Sequence, residues 1–138
     1  MSQEIKTAFQ YNGAEYEFDV RDADDAEKFE EAIERMKDEE KDVPKTGKTS
    51  DIIRAQCKML KNFFDLCLGE GAGVAICTEK SNIHTHYDAY EQFLLFVRAQ
   101  KEDILSAKNT FAKYSNRQQR RAAAKQKPQQ NGSISVVK

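Results

Sequence analysis

The sequence predicts a mainly α-helical fold with an N-terminal β-hairpin, an α+β chain with three main helices of which the last is long. Three observations predict it. Asn12-Gly13 separates two segments that alternate apolar and polar residues. Three later segments carry apolar residues at three- and four-residue steps, the spacing of one helix face. Glycine and proline fall between these segments, where chain direction must change. The 138 residues suit a single domain over residues 1–113, followed by a basic, polar tail over 114–138 that passes from helical to disordered.

The hairpin is expected over about residues 5–20. Asn-Gly is a preferred type I′ pair because both turn positions need positive φ. Counting outward sets Tyr11 opposite Ala14, Phe9 opposite Tyr16, Thr7 opposite Phe18 and Ile5 opposite Val20. These eight share one face, since strand side chains alternate with period two. Lys6 with Asp19, Ala8 with Glu17 and Gln10 with Glu15 form the polar face. A lone hairpin is marginal in water, so the aromatic face must pack on helices or on another subunit.

The first helix begins near Asp22 or Asp24, either of which can cap it, and Asp24, Asp25 and Glu27 suit its positive N-terminal end. Ala26, Phe29, Ile33 and Met36 make one narrow stripe, and the helix should stop before Val43-Pro44. The linker Pro44 to Thr49 contains Gly-Lys-Thr. A phosphate-binding loop would need glycine at position 42, which is Asp, and a buried strand upstream.

The second helix is expected from a Ser50 cap to a stop at Gly69. Ile52, Ile53, Cys57, Met59, Leu60, Phe63, Phe64, Leu66, Cys67 and Leu68 give it a wide apolar arc, the mark of a core helix. Gly69-Glu-Gly-Ala-Gly73 has no strand before it, so it reads as a helix stop and turn into an apolar segment, Val74 to Cys77, rather than as a nucleotide loop. Cys57, Cys67 and Cys77 read as reduced, buried thiols. His84 and His86 lie near Cys77, but imidazoles two residues apart on a helix diverge, and no paired ligand spacing accompanies them. The residues therefore imply no metal and no cofactor. No nucleophile stands at a useful spacing from a base either, so a non-enzyme is expected.

The third helix starts at Ser81 or Asn82. Ile83, Tyr87, Tyr90, Leu94, Val97, Ile104 and Phe111 hold its stripe, widened by Phe93 and Phe96. Unbroken from Asn82 to Lys113 it would span about 48 Å, so it either breaks near Arg98 to Lys101 or ends on a partner. From Pro128 onward the sequence lacks periodicity and reads as disordered.

The formal net charge is only -1, yet charge is segregated. Between Glu15 and Asp42 fourteen acidic residues face five basic ones, and between Lys113 and Lys127 there are six basic residues and no acidic one. Such asymmetry fits partner contacts or head-to-tail self-association, and equally a solvated helix face with a soluble tail. No apolar run approaches the ~20 residues of a membrane span, and MSQEIKTAFQ lacks the features of a secretory signal, so a cytoplasmic chain is expected.

The order of features resembles a family of small proteins from long-tailed bacteriophages and prophages of Gram-positive bacteria, the tail assembly chaperones. The resemblance covers roughly residues 9 to 125. It rests on Gly13-x-Glu15-Tyr16-Glu17-Phe18, on Phe63-Phe64-Asp65 with Gly69-Glu70-Gly71, and on Asn116-Arg117-x-x-Arg120-Arg121-Ala122. It implies an α-rich fold, self-association, and binding along the tape measure protein while the tail tube polymerises around it. It also implies a longer frameshifted product whose added part recruits the major tail protein. Candidate partner-binding residues are then Phe9, Tyr11, Tyr16 and Phe18 of the hairpin, Tyr87, Tyr90 and Leu94 of the last helix, and Arg117, Arg120 and Arg121 of the tail. Two alternatives stay open: a nucleic-acid-binding phage accessory protein using that tail, and a structural virion or adaptor protein. Nucleic acid is disfavoured, because no aromatic side chain follows Tyr114 to stack bases and the acidic first helix would repel a polyanion.

Overall fold

The computed structural model describes residues 4–126, with side chains through residue 122. The disordered end expected from Pro128 lies outside the described residues. The chain divides into two compact units, Met1–Glu102 and Asp103–Lys138, so the first unit ends earlier than the expected domain of 1–113.

The first unit opens with strands β1 (Ala8–Tyr11) and β2 (Ala14–Glu17), paired antiparallel in the register Ala8↔Glu17, Phe9↔Tyr16, Gln10↔Glu15 and Tyr11↔Ala14. Asn12 and Gly13 take φ of 54° and 84°, as a type I′ turn demands. Phe9, Phe18 and Val20 are buried, with Tyr11, Ala14 and Tyr16 packed against the same core. The ladder is shorter than the expected 5–20, and a side chain explains why. Gln100, fully buried, accepts from the Val20 N–H at 2.8 Å and donates to the carbonyls of Lys6 and Phe18, each at 2.9 Å. An amide from another element thus satisfies the Val20 N–H and Phe18 carbonyl, which further strand pairing would have satisfied, and the outward Lys6 carbonyl as well.

Helix α1 (Ala23–Glu40) is capped by Asp22, whose carboxylate accepts from the Asp24 N–H, and it buries Phe29 and Ala32. Its end tightens through Asp42 N–H to Glu39 and Val43 N–H to Glu40 before Pro44 turns the chain. Helix α2 (Thr49–Leu68) buries Cys57, Leu60, Phe63, Phe64 and Cys67, as a core helix should. Its N-cap is Lys48 with no side-chain bond, not Ser50, which lies within the first turn. That end is exposed, so water can satisfy its free N–H groups.

The apolar segment after Gly69 is a helix, α3 (Ala72–Cys77), an element beyond the three main helices expected. Each glycine before or within it has a backbone reason. Gly69 ends α2 at φ 112° and Gly71 opens α3 at φ 94°. At Gly73 α3 passes so close to α2 that a Cβ would collide with the Lys61 carbonyl. The Asp65 carboxylate accepts from the Gly73 N–H at 2.7 Å, so the Phe63-Phe64-Asp65 and glycine-rich pieces form one folding unit.

Helix α4 is continuous from Ile83 to Gln126 and does not break at Arg98 to Lys101. Asn82 caps it, accepting from the Thr85 N–H at 3.1 Å. Within the first unit α4 buries His86, Ala89, Phe93, Val97 and Gln100, one face at three- and four-residue steps. Phe93 is the hub, with ring centroids 5.0–6.3 Å from Phe9, Phe18, Phe29, Phe63, Phe64 and Phe96. The pairs with Phe9, Phe63 and Phe64 are edge-to-face, an arrangement that contributes about 0.5–1.5 kcal/mol each beyond area burial.

In the second unit the described part is α4 alone. None of its described side chains is buried, and Phe111 and Tyr114 are 70% and 59% exposed.

Candidate partner-binding surfaces

The hairpin residues expected to face a partner divide by burial. Phe9 and Phe18, at 4% and 2% exposure, belong to the core and are not presented to a partner. Of the two places expected for this apolar face, on helices or on another subunit, it packs on helices α2 and α4. Tyr16 is half-buried. Tyr11 is half-buried and donates to the Asp88 carboxylate at 2.6 Å. Burial and this bond to a carboxylate push the Tyr11 hydroxyl up to about 12, so it stays a donor.

On α4, Tyr90 packs edge-on against Phe63 with centroids 5.2 Å apart, and Leu94 is half-buried against the core. Tyr87 is exposed and donates to Gln56 of α2 at 3.0 Å. Of the expected α4 stripe within the first unit, Tyr87 alone remains open surface. Leu95, half exposed, was not singled out from sequence. In the run Phe93-Leu-Leu-Phe-Val97 every residue is apolar, so periodicity cannot name the outward one.

Tyr11 and Leu95 meet in a feature that no periodic pattern announces. An open groove of about 570 Å³ runs between β1 and α4, entirely within the first unit. Ile5, Ala8 and Phe9 form one apolar wall, and Leu95, Phe96 and Ala99 the other, with Glu4, Asp88 and Gln92 among its polar lining residues. The sheet has two strands, so β1 is an edge. Phe18 N–H bonds Thr7 O at 2.9 Å, which sets Phe9 opposite Tyr16 as a hydrogen-bonded pair. Ala8 and Gln10 then turn their backbone groups away from β2, toward the groove side. An open strand edge beside an apolar trough is a ready template for another polypeptide.

In the second unit Lys113, Arg117, Arg120 and Arg121 are exposed and lie on one side of the helix. Ile104 and Phe111 lie on another, about 145° away at ~100° per residue, and Tyr114 borders the basic side next to Arg121. Tyr114 accepts from Gln118 one turn later, at 2.7 Å.

The three cysteines and His86 are buried. Cys57, Cys67 and Cys77 are free and buried, and burial pushes the Cys67 and Cys77 thiols up to about 12 and about 11, so they stay protonated and unreactive. His86 Nδ1 lies 2.6 Å from the Asn82 carbonyl. A carbonyl only accepts, so Nδ1 carries the proton. Nε2 is buried without a hydrogen-bond partner. Burial first, and Lys61 second, lower the pKa of this imidazole below its ordinary value. Among the described residues no group of three or more His, Cys, Asp or Glu could hold a metal ion, and no helix is long and apolar enough to cross a membrane.

The chain is thus mostly helical, with a two-stranded hairpin laid over the first unit, an open strand-edge groove beside β1 and a long final helix. Residues 12–124 match the model of a family of unknown function, DUF6673, and the chain belongs to that family. No curated protein and no solved structure matches it.

Proposed function

We propose that this protein is a non-enzymatic tail assembly chaperone of a long-tailed bacteriophage or prophage. It acts as an oligomer in the cytoplasm of the bacterial host and binds and solubilises the tape measure protein while the tail tube assembles. The finished particle lacks it, and a longer frameshifted form links it to the major tail protein.

One observation carries the proposal. Eight large apolar side chains are exposed among the described residues, and six of them, Tyr87, Leu95, Ile104, Leu105, Phe111 and Tyr114, lie on α4. Exposed apolar side chains gathered along one element favour its use in protein contacts. A long amphipathic helical client offers many weak docking places, and many copies holding it through modest contacts gain by multivalency.

Co-expression with the tape measure protein encoded beside it tests the proposal. The expected result is a soluble client that co-purifies with this chain. A client that stays as insoluble as when expressed alone, with no complex recovered, refutes it. Mass spectrometry of purified particles separates the chaperone from a structural virion or adaptor protein, which would remain in them. A second reading, nucleic-acid binding, draws on the acid-free run Lys113 to Ala122. It requires a low-salt gel shift that is lost when residues 114–138 are removed.

A further inference from the structure

We infer that the basic face of α4 in one copy docks on the outer face of α1 in a second copy, giving a head-to-tail contact between identical chains. This rests on the charge pattern and not on the client assigned above.

Six carboxylates, Asp24, Glu27, Glu30, Glu31, Glu34 and Asp38, occupy the side of α1 opposite Phe29 and Ala32, and all six are exposed. Asp38 pairs with Lys41 at 3.7 Å. Among the described residues Glu27, Glu30, Glu31 and Glu34 engage no ion pair. The helix dipole accounts for acids in the first turn, but Glu34 and Asp38 lie toward the negative end, where a carboxylate is unfavourable. Apart from the exposed Asp38–Lys41 pair, no ion pair within the described residues uses these carboxylates.

The complement is on the same chain. Lys113, Arg117, Arg120 and Arg121 also engage no ion pair among the described residues, and no acidic residue interrupts them. The ladders match in step and length: residues 27, 30, 31 and 34 rise ~10 Å, and residues 113, 117, 120 and 121 rise ~12 Å. Pairing basic faces with each other would set like charges together, which selects the pairing of a basic face with an acidic one. Each copy carries both halves, so its net charge of -1 leaves successive copies close to mutual neutrality. Two copies can satisfy both patches reciprocally about a two-fold axis, and a contact used once per pair continues into rings or filaments.

Sedimentation velocity of the full chain over a range of concentrations tests this, with circular dichroism confirming that each variant is folded. At about 0.05 M salt the chain should form dimers or larger assemblies, and these should dissociate to monomer at about 0.5 M, where screening is strong. The tail variant Arg117→Glu, Arg120→Glu, Arg121→Glu and the α1 variant Glu27→Lys, Glu30→Lys, Glu34→Lys should each associate on the order of a hundredfold more weakly. Mixing the two variants should restore assembly, because each then offers what the other lacks.

Four results would overturn the inference. They are a wild-type sedimentation coefficient that is independent of concentration, assembly indifferent to salt, either variant assembling as the wild type does, and a mixture that stays dispersed. Failure of the client to dissolve would leave this contact standing, just as its loss would leave client binding to be judged separately.

Discussion

The first twenty residues of α4, Ile83 to Glu102, and the next twenty, Asp103 to Ala122, form one continuous helix under different rules. In the first stretch Ala89, Phe93 and Val97 are buried, and His86 and Gln100 extend the same buried face with polar groups. In the second stretch no side chain is buried, although Ile104, Leu105, Phe111 and Tyr114 are as apolar as anything upstream. Tertiary packing holds the first half. The second is held by good helix formers such as Ala, Lys, Gln and Arg, with local help such as the Gln118–Tyr114 bond. Apolar residues that add nothing to folding call for another use, and the fold does not need their removal from water.

The largest test of that contrast is Phe93→Ala. Truncating the hub ring should lower the unfolding free energy by about 3–5 kcal/mol in urea titration. A loss under about 1 kcal/mol would mean that the core is not organised around α4.

Gln100→Leu comes next. It strands the Val20 N–H and two carbonyls in a buried place, so a loss of roughly 2–4 kcal/mol is expected despite the added apolar surface. An unchanged midpoint would show that the hairpin ends need no help from α4.

The pH dependence is smaller. His86 has a folded pKa below its unfolded value of about 6.5, so between the two the unfolded chain binds more protons. Its contribution is full above about pH 6.5 and lost as pH falls toward the folded value. In His86→Gln the decline as pH falls below about 6.5 should flatten relative to wild type, and a persistent slope would assign it to other groups.

The smallest expected effect lies in the second half of the helix. Phe111→Ser should change stability by no more than about 0.5 kcal/mol, and a loss like that of Phe93→Ala would erase the distinction.

Much of this was legible in the sequence, and for identifiable reasons. Asn12-Gly13 admits few turns, so the strand register followed from counting. Pro44 and Gly69 mark helix ends through backbone chemistry that does not depend on the rest of the fold. Gln100 was illegible, because a polar residue in a core position has no periodic signature and its partners, Lys6, Phe18 and Val20, are 94, 82 and 80 residues away. Helix α3 was hidden by its six residues, too few to display a period. The groove was hidden because β1 and α4, which form its walls, come together only in the fold, and the burial of Phe9 and Phe18 followed from the same packing.

The most direct test of the central claim, that the β1 groove and the second half of α4 meet protein rather than stabilise the fold, is amide hydrogen exchange of the full chain with and without co-purified tape measure protein. Added protection is expected in residues 4–11, 88–99 and 103–122, with the core of α2 unchanged. Protection confined to other segments, or none at all in a complex that does form, would contradict it.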